Sequence, residues 1–209
     1  MPLLRYVTNF GDPYLTVPLA VLILLWLAMM RSWRATLFWA GGMTLAASAV
    51  AASRVAHVVW GAEIEALNFT VVSGHAMLAG AVYPTVFSLC DDRTRRTALI
   101  GPYAGGLLLA TAIGVSRILL GYHSTAEVVC GLAAGMAVAT LTCFQFTFAH
   151  TLFGKPGGFT LHDPAWFAAA ALAAVVMYHG KVAPVSARID RDAAGLSQWS
   201  KAQLERMRQ

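Results

Sequence analysis

Six stretches of this 209-residue chain carry no charged side chain: Tyr14–Met30, Ala35–Ala52, Ala76–Cys90, Ala98–Val115, Val128–Ala149 and Ala165–Tyr178. Crossing the hydrocarbon of a bilayer takes about 20 apolar residues, with a range of roughly 17–25. The first, second, fourth and fifth runs reach that length unaided. The third is short unless the Ser73-Gly74-His75 ahead of it enters the helix, and the sixth is short and alanine-rich. The expected fold class is therefore all-α, a polytopic transmembrane helical bundle of about six spans.

Composition supports the same class and excludes others. Hydrophobic residues make up 58% and charged residues 12%, against roughly 25% charged in a soluble domain. A disordered chain, a disulfide-rich secreted scaffold and an ordinary cytosolic enzyme are all excluded. Cys130 and Cys143 would stand about 20 Å apart along one helix and cannot pair. One domain fits the length, with residues 1–180 as the membrane bundle and 181–209 as a basic tail. Much of the net charge of +5 sits in that tail, with Lys181, Arg188, Arg191, Lys201, Arg206 and Arg208 set against Asp190, Asp192 and Glu205. A tail of this kind after a membrane domain meets anionic lipid headgroups, not nucleic acid. Residues Met1–Pro13 contain Arg5 and lack an A-x-A cleavage pattern, so the first span reads as a retained anchor.

Sidedness follows from alternation. The connections Arg31–Arg34 and Asp91–Arg96 fall on one face and hold five arginines, which assigns that face to the cytoplasm. Residues 53–75 and 116–127 then lie on the outer face. Six spans would put the basic tail outside as well, against the same rule. Either the last run does not cross or the tail is tolerated outside. The pairs Gly101/Gly105 and Gly131/Gly135 allow close helix packing.

The few ionisable residues near the outer span ends form a constellation. Arg54 closes the second span, His75 opens the third, Arg117 closes the fourth, and His123 and Glu127 lead into the fifth. Ionisable groups near hydrocarbon are costly, and their default reading is functional. Two guanidinium groups can grip phosphate oxygens at any pH. Ser73-Gly74 at a helix start adds a hydroxyl and a backbone N–H for the same anion. His123 and Glu127, four residues apart on an expected helix, share a face, so the carboxylate can orient the imidazole. His75 is then free for proton transfer to a leaving oxygen. This set calls for no metal or other cofactor.

Ser73-Gly74-His75 followed by Ser116-Arg117-x5-His123-x3-Glu127 resembles the type 2 phosphatidic acid phosphatase (PAP2) superfamily, in its membrane-bound branch. The family signature reads K-x6-R-P, then P-S-G-H, then S-R-x5-H-x3-D, and the likeness covers residues 54–127. The resemblance implies a PAP2-like core in which His123 is the nucleophile that forms a phosphohistidine. It implies His75 as the general acid, Glu127 in the place of the family's aspartate, and Arg117, Ser73 and Gly74 as phosphate ligands. Arg54 matches the first-motif lysine. The chain departs from the pattern in having Gly61-Ala62 where the family has R-P, and Val72 for the proline before Ser-Gly-His. Two spans precede the site, where many relatives have three.

Other polar residues have plainer readings. His57 reads as a satisfied interfacial histidine, and His150, His162 and His179 as cytoplasmic or tail residues without metal spacing. Glu63 and Glu65 read as solvated, or in contact with a polar headgroup. Asn68-Phe69-Thr70 is a chance sequon, and Gly154-Lys155-Pro156 lacks the pattern of a phosphate loop. Trp33, Trp60 and Tyr122 read as interfacial belts.

The expectation is a multi-pass membrane phosphatase, of bacterial inner-membrane type, with its site on the extracytoplasmic face. Its partners would be the bilayer and a lipid phosphate or isoprenyl diphosphate, with a homo-oligomer left open. The alternatives are a non-catalytic binder of phospholipid headgroups and a phosphotransferase with an acceptor other than water.

Overall fold

The computed structural model describes residues 1–90, 100–153, 164–185, 188–189, 191–192 and 195. The connection Asp91–Arg96, Gly154-Lys155-Pro156, His162 and most of the basic tail lie outside the described residues, as does the side chain of His150. Among the described residues the α-helices are, in order, α1 (Pro2–Asn9), α2 (Pro13–Met29), α3 (Trp33–Trp60), α4 (Gly74–Cys90), α5 (Ile100–Leu119), α6 (Thr125–Phe153) and α7 (Pro164–Tyr178). A 3-10 turn, Glu65–Leu67, lies between α3 and α4, and no strand occurs among the described residues. By length and composition, Pro2–Met29, Trp33–Trp60, Gly101–Leu119 and Thr125–Thr147 can each cross a membrane. The first of these is broken by Phe10-Gly11-Asp12 into α1 and α2.

Helix α4 is the axis of the bundle. Twelve of its seventeen residues are buried, and it packs chiefly against α6 and α5. The chain achieves this with glycines. A Cβ at Gly131 would lie 2.5 Å from the Ser73 carbonyl, one at Gly135 would overlap the Met77 carbonyl, and one at Gly106 would lie 2.5 Å from that of Tyr83. The Gly131/Gly135 pair thus sets the α6–α4 contact as expected. The Gly101/Gly105 pair does not set the α5 contact, because a Cβ at Gly101 meets nothing and Gly105 is in ordinary contact with Phe87. The face of α5 that meets α4 is one residue further round, at Gly106.

Two other expectations change. Helix α3 does not end at Arg54 but runs to Trp60, because nothing breaks it before Gly61, whose φ of +66° closes it. Gly74 and His75 enter the third span while Ser73 stands just ahead of it, since α4 begins at Gly74.

Helix α7 runs antiparallel to α2. Phe167 near its start packs at a tilt against Trp26 near the end of α2, with ring centroids 5.2 Å apart. Past its other end, the His179 ring lies 4.1 Å from Phe10, and Ala183 N donates to Asp12 Oδ1 at 3.0 Å. Helices α2 to α7 therefore traverse the bundle six times, and the chain after α7 emerges on the face that holds His75. That resolves the sixth run as a traverse. It also corrects the reading of His179, which packs on Tyr6 and Phe10 at the site's end of the bundle. None of the cysteines at 90, 130 and 143 forms a disulfide.

Candidate active site

The sequence Ser124-Thr125-Ala126-Glu127 builds a reciprocal cap on α6. Ser124 Oγ accepts from Glu127 N at 3.3 Å, and Glu127 Oε2 accepts from Ser124 N at 3.1 Å. The cap folds the glutamate back toward the residue ahead of the helix, where Oε2 also accepts from His123 Nδ1 at 2.7 Å. A carboxylate only accepts, so Nδ1 carries the proton and Nε2 keeps its lone pair. His123 lies before α6 rather than on it. The expected pair therefore forms through the cap, not through a shared helical face.

Glu127 is 4% exposed, and its other oxygen is fully used. Oε1 accepts from Thr70 N at 2.8 Å, Thr70 Oγ1 at 2.6 Å and Val71 N at 3.0 Å. Its backbone carbonyl accepts from Ser73 N at 3.2 Å. One residue thus ties His123 to the segment that leads into Ser73-Gly74-His75.

Ser73 is fully buried and caps α4, its Oγ accepting from Ala76 N at 3.4 Å. The amides of Gly74 and His75 stand in the first turn of α4, where N–H groups have no partner within the helix. Val72 N donates to Ser53 Oγ at 3.1 Å, which pins this segment to α3 beside Arg54. Arg54 sits inside α3 rather than at its end, yet its charge acts on His123.

Arg117 occupies the last turn of α5. Its guanidinium lies 4.3 Å from the centroid of the Tyr122 ring, and Nη1 donates to Thr8 Oγ1 at 3.4 Å. Its Nε is buried without a hydrogen-bond partner among the described residues. Tyr122 is therefore a support for Arg117 and not simply part of an interfacial belt. His75 lies within electrostatic reach of both Arg117 and His123. Burial pulls the pKa of His123 below its usual 6.5; the Glu127 hydrogen bond opposes that, and the charges of Arg117 and Arg54 add to it.

Arg54, His75, Arg117, His123 and Glu127 thus meet at one end of the bundle, with Ser73 and Gly74 beside them. His57 stays apart, its Nδ1 donating to the Ala62 carbonyl at 3.1 Å past the end of α3. Glu63 and Glu65 are exposed. Sequence reasoning missed Thr8, Asp12, Thr70 and Ser124. The Ser-x-x-Glu box was readable as a helix start, and Asp12-Pro13 likewise as the start of α2. Nothing in the sequence said that Asp12 would face His75.

These features define a helical membrane protein with a buried histidine–carboxylate pair among arginines at one end of its bundle. The sequence model of the PAP2 superfamily matches residues 57–152, which takes in His75, Arg117, His123 and Glu127, and the chain belongs to that superfamily, with its phosphatase-type fold. A Klebsiella pneumoniae protein described as "Uncharacterized 22.5 kDa protein in cps region" is 32% identical over 143 residues, covering 66% of this chain and 66% of that protein. No solved structure matches the chain significantly.

Proposed function

We propose that this protein removes phosphate from a lipid phosphate or isoprenyl diphosphate, without a metal, through a phosphohistidine at His123. The observation that carries the reading is the 2.7 Å contact between His123 Nδ1 and Glu127 Oε2, which leaves Nε2 as the attacking atom. In the first step the P–Nε2 bond forms and the bond from phosphorus to the leaving oxygen breaks. His75 gives that oxygen its proton. In the second step His75 takes a proton from water, the hydroxyl oxygen bonds to phosphorus, and the P–N bond breaks. Phosphate leaves and His75 is protonated again. Arg54, Arg117 and the first amides of α4 would hold the non-bridging oxygens, where charge grows in the transition state.

A lipid substrate fits the position of the site at the helix ends of a membrane bundle, beside the exposed Tyr122. The face would be the extracytoplasmic one, because Arg31 and Arg34 lie at the opposite end. The test is a phosphate-release screen of the detergent-solubilised protein. It would cover phosphatidic acid, phosphatidylglycerol phosphate, undecaprenyl diphosphate and soluble phosphoesters, with H123A as control. Turnover that H123A abolishes, that a chelator leaves intact and that vanadate inhibits is the expected result. Undiminished turnover by H123A would sink the assignment. Lipid phosphate binding without turnover would instead identify a headgroup-binding protein.

A further inference from the structure

The turn between α1 and α2 is pressed directly onto His75. At Gly11 a Cβ would lie 2.7 Å from Ile113 Cγ2, 3.2 Å from His75 Cβ and 3.3 Å from the His75 carbonyl. Tyr83 Oη, two turns along α4, donates to the Phe10 carbonyl at 2.5 Å. The turn is thus held on α4 from both sides.

The next residue is Asp12, 2% exposed. Its Oδ1 accepts from Tyr14 N at 2.8 Å, capping α2, and from Ala183 N at 3.0 Å. These two bonds fix the plane of the carboxylate. The second oxygen, Oδ2, faces His75 Nε2 at 3.7 Å, too long for a hydrogen bond but within ion-pair range. A helix cap does not require this charge, since Ser, Thr or Asn caps as well. Burying a carboxylate is costly unless it is paired. Its charge also reaches the Arg117 guanidinium, but the group its Oδ2 directly faces is the His75 imidazole, so a protonated His75 has Asp12 as its facing counter-charge.

We propose that Asp12 is a positioning residue for His75, orienting the ring and supporting its positive charge while it carries the proton destined for the leaving oxygen. The proposal rests on the reading of His75 as proton donor given above. One ring nitrogen keeps its N–H toward Asp12 while the other yields its proton. The bond from phosphorus to the leaving oxygen breaks as that oxygen is protonated, and water later returns a proton to the ring. The site then holds two histidine–carboxylate pairs, His123–Glu127 for the nucleophile and His75–Asp12 for the proton donor.

The test compares two long-chain phosphomonoesters, an alkyl phosphate and an alkylated 4-nitrophenyl phosphate. The alkoxide must be protonated as it leaves, whereas the nitrophenolate departs without a proton. D12N and D12S both keep an oxygen for the α2 cap and remove the charge. Each should lower kcat/KM, which reports only the steps through cleavage of the bond to the leaving oxygen, by about 10- to 100-fold on the alkyl ester and leave it nearly unaffected on the aryl ester. Elution of each variant as the wild type does on gel filtration separates this pattern from misfolding. Equal losses on both esters would reduce Asp12 to a structural cap, and an undiminished alkyl rate would remove it from the reaction; either overturns the proposal. Failure of the functional reading looks different, because H123A would then turn over both esters as the wild type does.

Discussion

His123 Nδ1 and Glu127 Oε2 stand 2.7 Å apart, and the carboxylate that joins them accepts five hydrogen bonds in all. A glutamine at 127 offers one accepting oxygen and one NH2. If the oxygen keeps Thr70 and Val71, the NH2 meets the Nδ1–H of His123 and drives the ring to its other tautomer. The proton then sits on Nε2, the atom proposed to attack phosphorus. E127Q should therefore lower kcat by about 10³- to 10⁴-fold, the scale of an amide for a carboxylate in a hydrolase triad. E127A should in addition unfold at lower temperature, since stranding the Thr70 and Val71 amides costs about 1–3 kcal/mol for each buried group. Rapid phosphate-release assays and thermal melts in detergent check the two effects separately.

The pH dependence of His123, the proposed nucleophile, follows from its surroundings. Burial, the largest influence on His123, lowers its pKa from 6.5, with Arg117 and Arg54 acting in the same sense and Glu127 against. A lowered pKa keeps the ring neutral while pH falls through 6.5, when the unfolded chain is already taking up its proton. The stability from this group is thus complete above 6.5 and is lost as pH falls toward the folded pKa. The acid limb of kcat/KM should have its midpoint below 6.5. A pH series across that value measures it, and a midpoint above 6.5 would contradict the burial argument.

Much of this site was legible because bilayers impose simple rules. The uncharged runs gave five of the six traverses closely, and the scarcity of charge made Arg54, His75, Arg117, His123 and Glu127 conspicuous. What escaped was set by contacts between distant segments. Asp12 lies 63 positions before His75 and looks like an ordinary helix cap. Its role depends on Gly11 letting the turn close on α4. The end of α3 is not legible from charge, because a charged residue marks a hydrophobic boundary, whereas backbone conformation marks a helical one. Arg54 lies at the first boundary and Gly61 at the second.

The same distinction between pattern and packing yields a prediction for the glycines. Gly101 and Gly105 form the motif on α5, but Gly106 is the residue pressed on the Tyr83 and Pro84 backbone. G106A and G135A should each destabilise the bundle by about 1–3 kcal/mol, as overpacking of a tight contact does. G101A meets nothing and should be neutral or stabilising by up to about 1 kcal/mol, from helix propensity. Thermal melts of the three variants decide the matter, and an equal effect from G101A would remove the packing assignment.

Arg117 is held by a different kind of contact. Its guanidinium is 4.3 Å from the Tyr122 ring centroid, with Nη1 on Thr8 and Nε left for an anion. A lysine in its place keeps the charge but loses the planar fork and its stacking. R117K should lower kcat/KM by about 10- to 100-fold, the loss of one or two charge-assisted hydrogen bonds to phosphate. Tyr122 contributes its ring face rather than its hydroxyl, so Y122F should behave as the wild type. Y122A should lose about 0.5–1 kcal/mol of support, roughly a two- to fivefold fall in kcat/KM. Steady-state kinetics on the preferred lipid phosphate separate these cases, and equal losses from Y122F and Y122A would show that the hydroxyl, not the ring, holds Arg117 in place.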